Sequence, residues 1–96
     1  MPLPEFLKAR REDILRIAAR HGAYNVRFFG SLVRGDATEC SDVDVLVDVE
    51  QGRSLLDIGA LSEDLKTLLG REVDIVTERG LRERIRRRVL QEAVLL

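Results

Sequence analysis

Asp42 and Asp44 are separated by a single residue, Val43, at the start of a valine-rich run, SDVDVLVD. Successive side chains on a β-strand point to opposite faces, so both carboxylates would lie on one face of a strand, about 6.5 Å apart at two rises of about 3.3 Å. Asp is disfavoured in strands, and two like charges this close oppose each other's ionisation. The pattern therefore predicts that a divalent cation binds the pair.

A glycine and a serine, Gly30 and Ser31, precede the aspartate pair and are separated from it by ten residues. Mg²⁺ binds one or two carboxylates and takes its remaining ligands from water and phosphate oxygens. Gly30 would let the backbone approach a phosphate closely, and Ser31 would offer a hydroxyl and a backbone N–H where a short helix begins. A plain N-cap role for Ser31 is the alternative. Together the two motifs predict a site for Mg²⁺ and a phosphate-bearing ligand.

Two further residues could extend this site. Asp74 is the isolated carboxylate of a predicted apolar strand, and it would complete a cluster with Asp42 and Asp44 if the two strands are neighbours. A solvated sheet edge is the alternative for Asp74. Arg34 could meet a phosphate, hold a loop carboxylate such as Asp36, or be an ordinary surface arginine. We predict that both residues belong to the site.

Helices and strands alternate in the segments that would position these residues. The apolar periodicity and the glycine breaks predict helices over residues 5–20, 32–34, 55–69 and 80–91, and strands over 26–29, 42–49 and 71–77. This order predicts an α/β fold in which helices cover the valine face of the sheet and leave the charged face open. The single histidine, His21, would cap the first helix together with Gly22.

The composition indicates one compact domain over residues 1–96, with 45% hydrophobic residues for a modest core. The formal net charge of -1 gives no overall basic field, so we expect no direct binding of nucleic acid. The first residues lack a signal-peptide pattern, no apolar run has the length of a membrane span, and the lone Cys40 fits a reducing compartment. We therefore expect a cytoplasmic protein that does not enter membranes.

Two C-terminal segments bear on partners. The arginine-rich run over residues 82–88 is either a solvated helix face or a surface for an acidic partner or a nucleic acid. The apolar tail over residues 93–96 must pack on the core or on another chain. A partner interface is therefore one predicted role of this end.

The order Gly-Ser, ten residues, Asp-x-Asp resembles the signature of the DNA polymerase β-like nucleotidyltransferase superfamily. The string GSLVRGDA followed by SDVDVLVD is similar to its smallest branch, the minimal nucleotidyltransferases or MntA-type antitoxins, and the resemblance covers almost the whole chain. It implies a small mixed sheet of about three strands with helices packed mainly on one face. It also implies Mg²⁺-dependent transfer of AMP from ATP to a hydroxyl.

The resemblance also assigns roles to residues of this chain. The implied catalytic and metal-binding residues are Asp42, Asp44 and Asp74, and the implied nucleotide-binding residues are Gly30, Ser31 and Arg34. The first two aspartates would hold Mg²⁺ on the triphosphate, and the third would help to bind a second ion and deprotonate the acceptor. The Gly-Ser pair would seat the β and γ phosphates.

The partner implied by the resemblance is a HEPN-domain ribonuclease toxin, which the antitoxin binds and adenylylates on a tyrosine. A hetero-oligomer is then expected, with a homodimer as the alternative. The competing function is an antitoxin that masks its partner by binding alone, with a weak or vestigial nucleotide site. A nuclease role based on the R-x4-H spacing of Arg16 and His21 is disfavoured, because the strands do not resemble an all-helical HEPN bundle.

Overall fold

The computed structural model describes residues 3–96. Its helices are α1 (Glu5–Ala9), α2 (Arg11–Arg20), α3 (Ser31–Arg34), α4 (Leu55–Leu69) and α5 (Glu83–Glu92), with a 3-10 turn at Glu78–Gly80. Its strands are β1 (Ala23–Phe29), β2 (Val43–Val49), β3 (Val73–Thr77) and β4 (Val94–Leu95). No helix within residues 3–96 is long and apolar enough to cross a membrane.

The strands form one mixed sheet in the order β3-β2-β1-β4. β2 runs parallel to β3, and β1 runs antiparallel to both β2 and β4. The predicted α/β class with a mixed sheet is therefore confirmed. The fourth strand comes from the apolar tail, and its two residues are too few to show an alternating pattern in the sequence.

The main core lies between one face of the sheet and the helices α2 and α4. Val43, Val45 and Val47 are completely buried on this face, as the alternation along β2 predicts. The largest other buried side chains of this core are Phe28, Leu7, Ile14, Leu61 and Leu65. Burying each such side chain contributes about 1.5–3 kcal/mol, so this face holds the sheet and helices together.

The opposite face of the sheet carries the aspartates of β2, and it is not wholly open. Leu46, which lies between Asp44 and Asp48 on this face, has no exposed surface. Val89 of α5 is also buried, and neither residue belongs to the main core cluster. The prediction that this charged face is open is therefore wrong at the centre of the face, where Leu46 is buried. Asp74 remains exposed on this face, and Asp42, just before β2, is exposed as well.

Two predicted helices differ from the observed ones. The expected helix over residues 5–20 is broken at Arg10, which has φ -105° and ψ 13° and separates α1 from α2. The expected helix over residues 80–91 begins only at Glu83, because Gly80 belongs to a 3-10 turn capped by the Thr77 hydroxyl. These boundaries depend on local hydrogen bonds that apolar periodicity does not describe.

Capping residues close both ends of α4 and the C-terminal end of α2. Ser54 and Asp57 form a capping box at the start of α4, and Gly70 ends it in the left-handed conformation with φ 68°. His21 is the C-cap residue of α2, but its ring lies 2.6 Å from the Asp64 carboxylate rather than on the helix carbonyls. The histidine thus links α2 to α4.

Candidate active site

Asp44 and Asp74 lie side by side on neighbouring strands. In the parallel register of β2 and β3, Asp44 is the direct partner of Asp74, and Val43 is the partner of Val73. The predicted neighbourhood of the two strands is therefore observed. Asp42 is exposed and comes immediately before β2. The fold thus places the three predicted carboxylates at one end of the acidic face, which is the face of the sheet that carries Asp44 and Asp48.

The electrostatic environment of Asp44 shows that these carboxylates act on one another. Burial, together with the charges of Asp74 and Asp42, raises the pKa of Asp44 from 3.8 to about 6, and Arg34 opposes that rise. Further along the same face, Asp48 is paired with Arg27 at 3.0 Å. The uncompensated negative charge is therefore concentrated at the Asp44 end of the face.

Gly30 packs directly against Asp44, which joins the two sequence motifs in space. Phe29 is the ladder partner of Asp44, so the chain that leaves β1 passes beside this carboxylate. Gly30 has φ 81°, and a Cβ added there would overlap Asp44 Oδ2. Only glycine fits this position without displacing the aspartate.

Ser31 and Arg34 begin and end the single turn of α3. The N-cap of this turn is Gly30, with no side-chain cap, so the alternative role of Ser31 as a plain N-cap is not what the structure shows. Arg34 Nη1 donates to Glu92 Oε1 at 3.0 Å, and its Nε lies 3.6 Å from Asp36 Oδ2. The hydrogen bond and the charge of Glu92, with a smaller contribution from Asp36, raise the pKa of Arg34 above its ordinary value. Arg34 is thus a fixed cation beside the Gly-Ser pair.

Glu92 is the site residue that the sequence did not reveal. Besides its bond to Arg34, its Oε2 accepts a hydrogen bond from the Gly30 N–H at 2.7 Å. Its side chain is only 15% exposed. In the sequence it is one glutamate at the end of a charged helix, 62 residues from Gly30, so no local pattern indicates the contact.

The three carboxylates suit a metal ion that takes its remaining ligands from a bound phosphate and from water. Within residues 3–96, no three His, Cys, Asp or Glu side chains are disposed to hold a metal ion by themselves. The three predicted carboxylates therefore do not form a closed ligand set. Mg²⁺ commonly retains water and takes phosphate oxygens beside one or two carboxylates, so the Asp44 end of the face fits Mg²⁺ bound together with a phosphate.

The predicted site is exposed at Asp42 and Asp74, and the cleft beside it is a separate feature. A cleft of about 700 Å³ lies near the carboxyl ends of β2 and β3 and is lined by Asp48, Thr77, Glu78, Arg79 and Arg86 among others. None of the six predicted site residues lines this cleft. The predicted site residues therefore lie outside this cleft.

Residues 9–96 match the family model described as the nucleotidyltransferase domain. The chain belongs to this family, and it is an enzyme of the nucleotidyltransferase class. The class predicted from the Gly-Ser and Asp-x-Asp motifs is thereby confirmed.

The relatives agree with this class. Protein adenylyltransferase MntA of Thermococcus cleftensis is 48% identical to the chain over 75 residues, which cover 78% of this chain and 76% of that protein. A solved structure of a minimal nucleotidyltransferase is 56% identical, with a TM-score of 0.85 over 96% of this chain and 94% of that one. The resemblance to minimal nucleotidyltransferases is confirmed by these matches.

A more distant likeness extends to a crystal structure of a toxin-antitoxin with AMP-PNP. It is 20% identical, with a TM-score of 0.74 over 88% of this chain and 69% of that chain. At this identity the likeness shows a shared fold.

Proposed function

We propose that the chain transfers AMP from ATP to a hydroxyl group of a partner protein, with Mg²⁺ as its cofactor. The observation that carries this proposal is the packing of Gly30 against Asp44, with Asp74 beside Asp44 on the next strand. A phosphate-approaching glycine and paired carboxylates thus share one open surface. A relative named as a protein adenylyltransferase supports AMP as the transferred group and a protein as the acceptor.

In this proposal, some residues of the chain bind Mg²⁺ and others bind and position the phosphates. Asp42 and Asp44 would hold Mg²⁺, which when bound supplies charge neutralisation for the triphosphate and the transition state. Arg34 and the Ser31 hydroxyl would bind the β and γ phosphates. Gly30 would allow the phosphates to approach the backbone.

The transfer itself is an in-line displacement at the α-phosphorus of ATP. The acceptor oxygen forms a bond to this phosphorus, and the bond to pyrophosphate breaks. Asp74 is exposed beside Asp44 and would take the proton from the acceptor hydroxyl. The products are the adenylylated acceptor and pyrophosphate.

The acceptor is proposed to be a tyrosine of a HEPN-type toxin, with this chain as its antitoxin. The resemblance of the sequence motifs to MntA-type antitoxins supports this assignment, and the solved toxin-antitoxin shares the fold. The open site also favours a protein acceptor, because the chain surrounds the acidic face only in part. The partner would complete the surface and form a hetero-oligomer.

Incubation with Mg²⁺, α-labelled ATP and the protein encoded next to this chain tests the proposal. We expect label on the partner, and we expect the label to be lost in the double variant Asp42→Asn/Asp44→Asn. Glu12→Gln is the matched control, since Glu12 is exposed on α2 away from the site. A stable complex without label, in which the double variant still neutralises the partner, would instead establish masking by binding.

A further inference from the structure

Glu92 connects the end of α5 to both sides of the proposed phosphate site. One carboxylate oxygen accepts from the Gly30 N–H at 2.7 Å, and the other accepts from Arg34 Nη1 at 3.0 Å. The side chain is 15% exposed, so water competes little with these bonds. A single, largely shielded carboxylate therefore fixes the backbone at Gly30 and the direction of the Arg34 guanidinium.

A carboxylate at this place is unfavourable unless it has a role. Glu92 places a further negative charge near Asp44. The hydrogen bonds to Arg34 and Gly30 compensate for this repulsion, because charge-assisted bonds are stronger than neutral ones. The Glu92 carboxylate therefore adds negative charge near the aspartates and at the same time fixes the orientation of Arg34.

Arg34 keeps donors for a ligand while Glu92 holds it. A guanidinium carries five N–H donors in a rigid fork. Nη1 is engaged by Glu92, and Nε points toward Asp36 at 3.6 Å. The rest of the fork can donate to a phosphate without the loss of either contact.

We propose that Glu92 is a positioning residue for the triphosphate of ATP. It holds Arg34 and the Gly30 backbone in the orientation that receives the phosphates, and it does not itself contact the nucleotide. This inference rests on the proposed function, since it names a residue that shapes the same ATP site. It also joins the arginine-rich helix α5 to that site through one side chain.

Binding of Mg-ATP and of AMP to the variant Glu92→Gln tests the inference. The glutamine keeps the shape but loses the charge that orients Arg34. We expect ATP affinity to fall about tenfold, the lower end of the loss seen when an outer-shell partner of a metal ligand is replaced. AMP lacks the β and γ phosphates, and its affinity should stay unchanged. Glu83→Gln makes the same charge change at an exposed position of α5 and should leave both affinities unchanged.

A double-mutant cycle with Arg34→Ala locates the effect. If Glu92 acts through Arg34, Glu92→Gln should weaken ATP binding much less in the Arg34→Ala background than in the wild type. Melting curves of each variant, with Glu92→Ala as a second replacement, report whether the fold is kept.

Three outcomes would overturn the inference. Tighter ATP binding by Glu92→Gln would make Glu92 a competitor of the phosphates, and equal losses for ATP and AMP would make it a purely structural residue. Unchanged ATP binding would show that Arg34 needs no support. Absence of Mg-ATP binding by the wild type would refute the proposed function itself, which separates the two failures.

Discussion

Replacing Asp44 with asparagine should stabilise the protein when no metal is bound, although it removes activity. Burial and the charges of Asp74 and Asp42 raise the pKa of this carboxyl to about 6. The folded state therefore binds the Asp44 proton more tightly than the unfolded state, in which the pKa has its ordinary value of 3.8. The stabilising effect of this proton is complete below that unfolded value and is lost as the pH rises through about 6.

The magnitude follows from the size of this shift. One pKa unit corresponds to about 1.4 kcal/mol, so a shift of about two units would give about 3 kcal/mol at most. Asp44 is only partly buried, and solvent screening reduces this to about 1–2 kcal/mol. For a domain of this size, each kcal/mol changes the melting temperature by about 4–8 °C. Asparagine has nearly the same shape but no charge, so Asp44→Asn should melt about 5–10 °C higher at pH 8.

Thermal denaturation in EDTA at pH 8 and pH 4 measures this effect. The difference between wild type and Asp44→Asn should be largest at pH 8 and should nearly vanish at pH 4, where Asp44 of the folded wild type is protonated. Glu12→Gln, an exposed carboxylate on α2, should show little difference at either pH. An Asp44→Asn variant that melts below the wild type at pH 8, or that gains equally at both pH values, would refute this account of the acidic face.

Two other consequences of the geometry can be checked. Gly30→Ala should abolish transfer and destabilise the fold by about 1–3 kcal/mol, because it places a Cβ at positive φ against Asp44. Gly59→Ala is its matched control in α4, where a Cβ meets nothing within 4 Å, and it should stabilise by about 0.5–1 kcal/mol in denaturant titrations. A transfer-competent Gly30→Ala enzyme would contradict the close packing. Mg²⁺ at about 100 times its dissociation constant should stabilise the wild type by about 2.7 kcal/mol. Equal stabilisation of Asp42→Asn/Asp44→Asn in calorimetry would place the ion elsewhere.

Local sequence patterns predicted the parts of the fold that depend on neighbouring residues. The bounds of α4 follow from its apolar stripe and from Gly70. The face on which Asp44 lies follows from the alternation of side chains along β2. The break at Arg10 was missed, because the apolar spacing of α1 and α2 continues across it.

The spacing of the Gly-Ser pair and of Asp42 and Asp44 was enough to single out candidate residues for the chemistry. Which residues meet, Glu92 among them, is set by the tertiary structure. It placed Gly30 against Asp44, Asp74 beside Asp44, and Glu92 on Arg34. Periodicity and caps report contacts within a few residues, whereas strand order and the path of α5 result from packing the whole chain around one core.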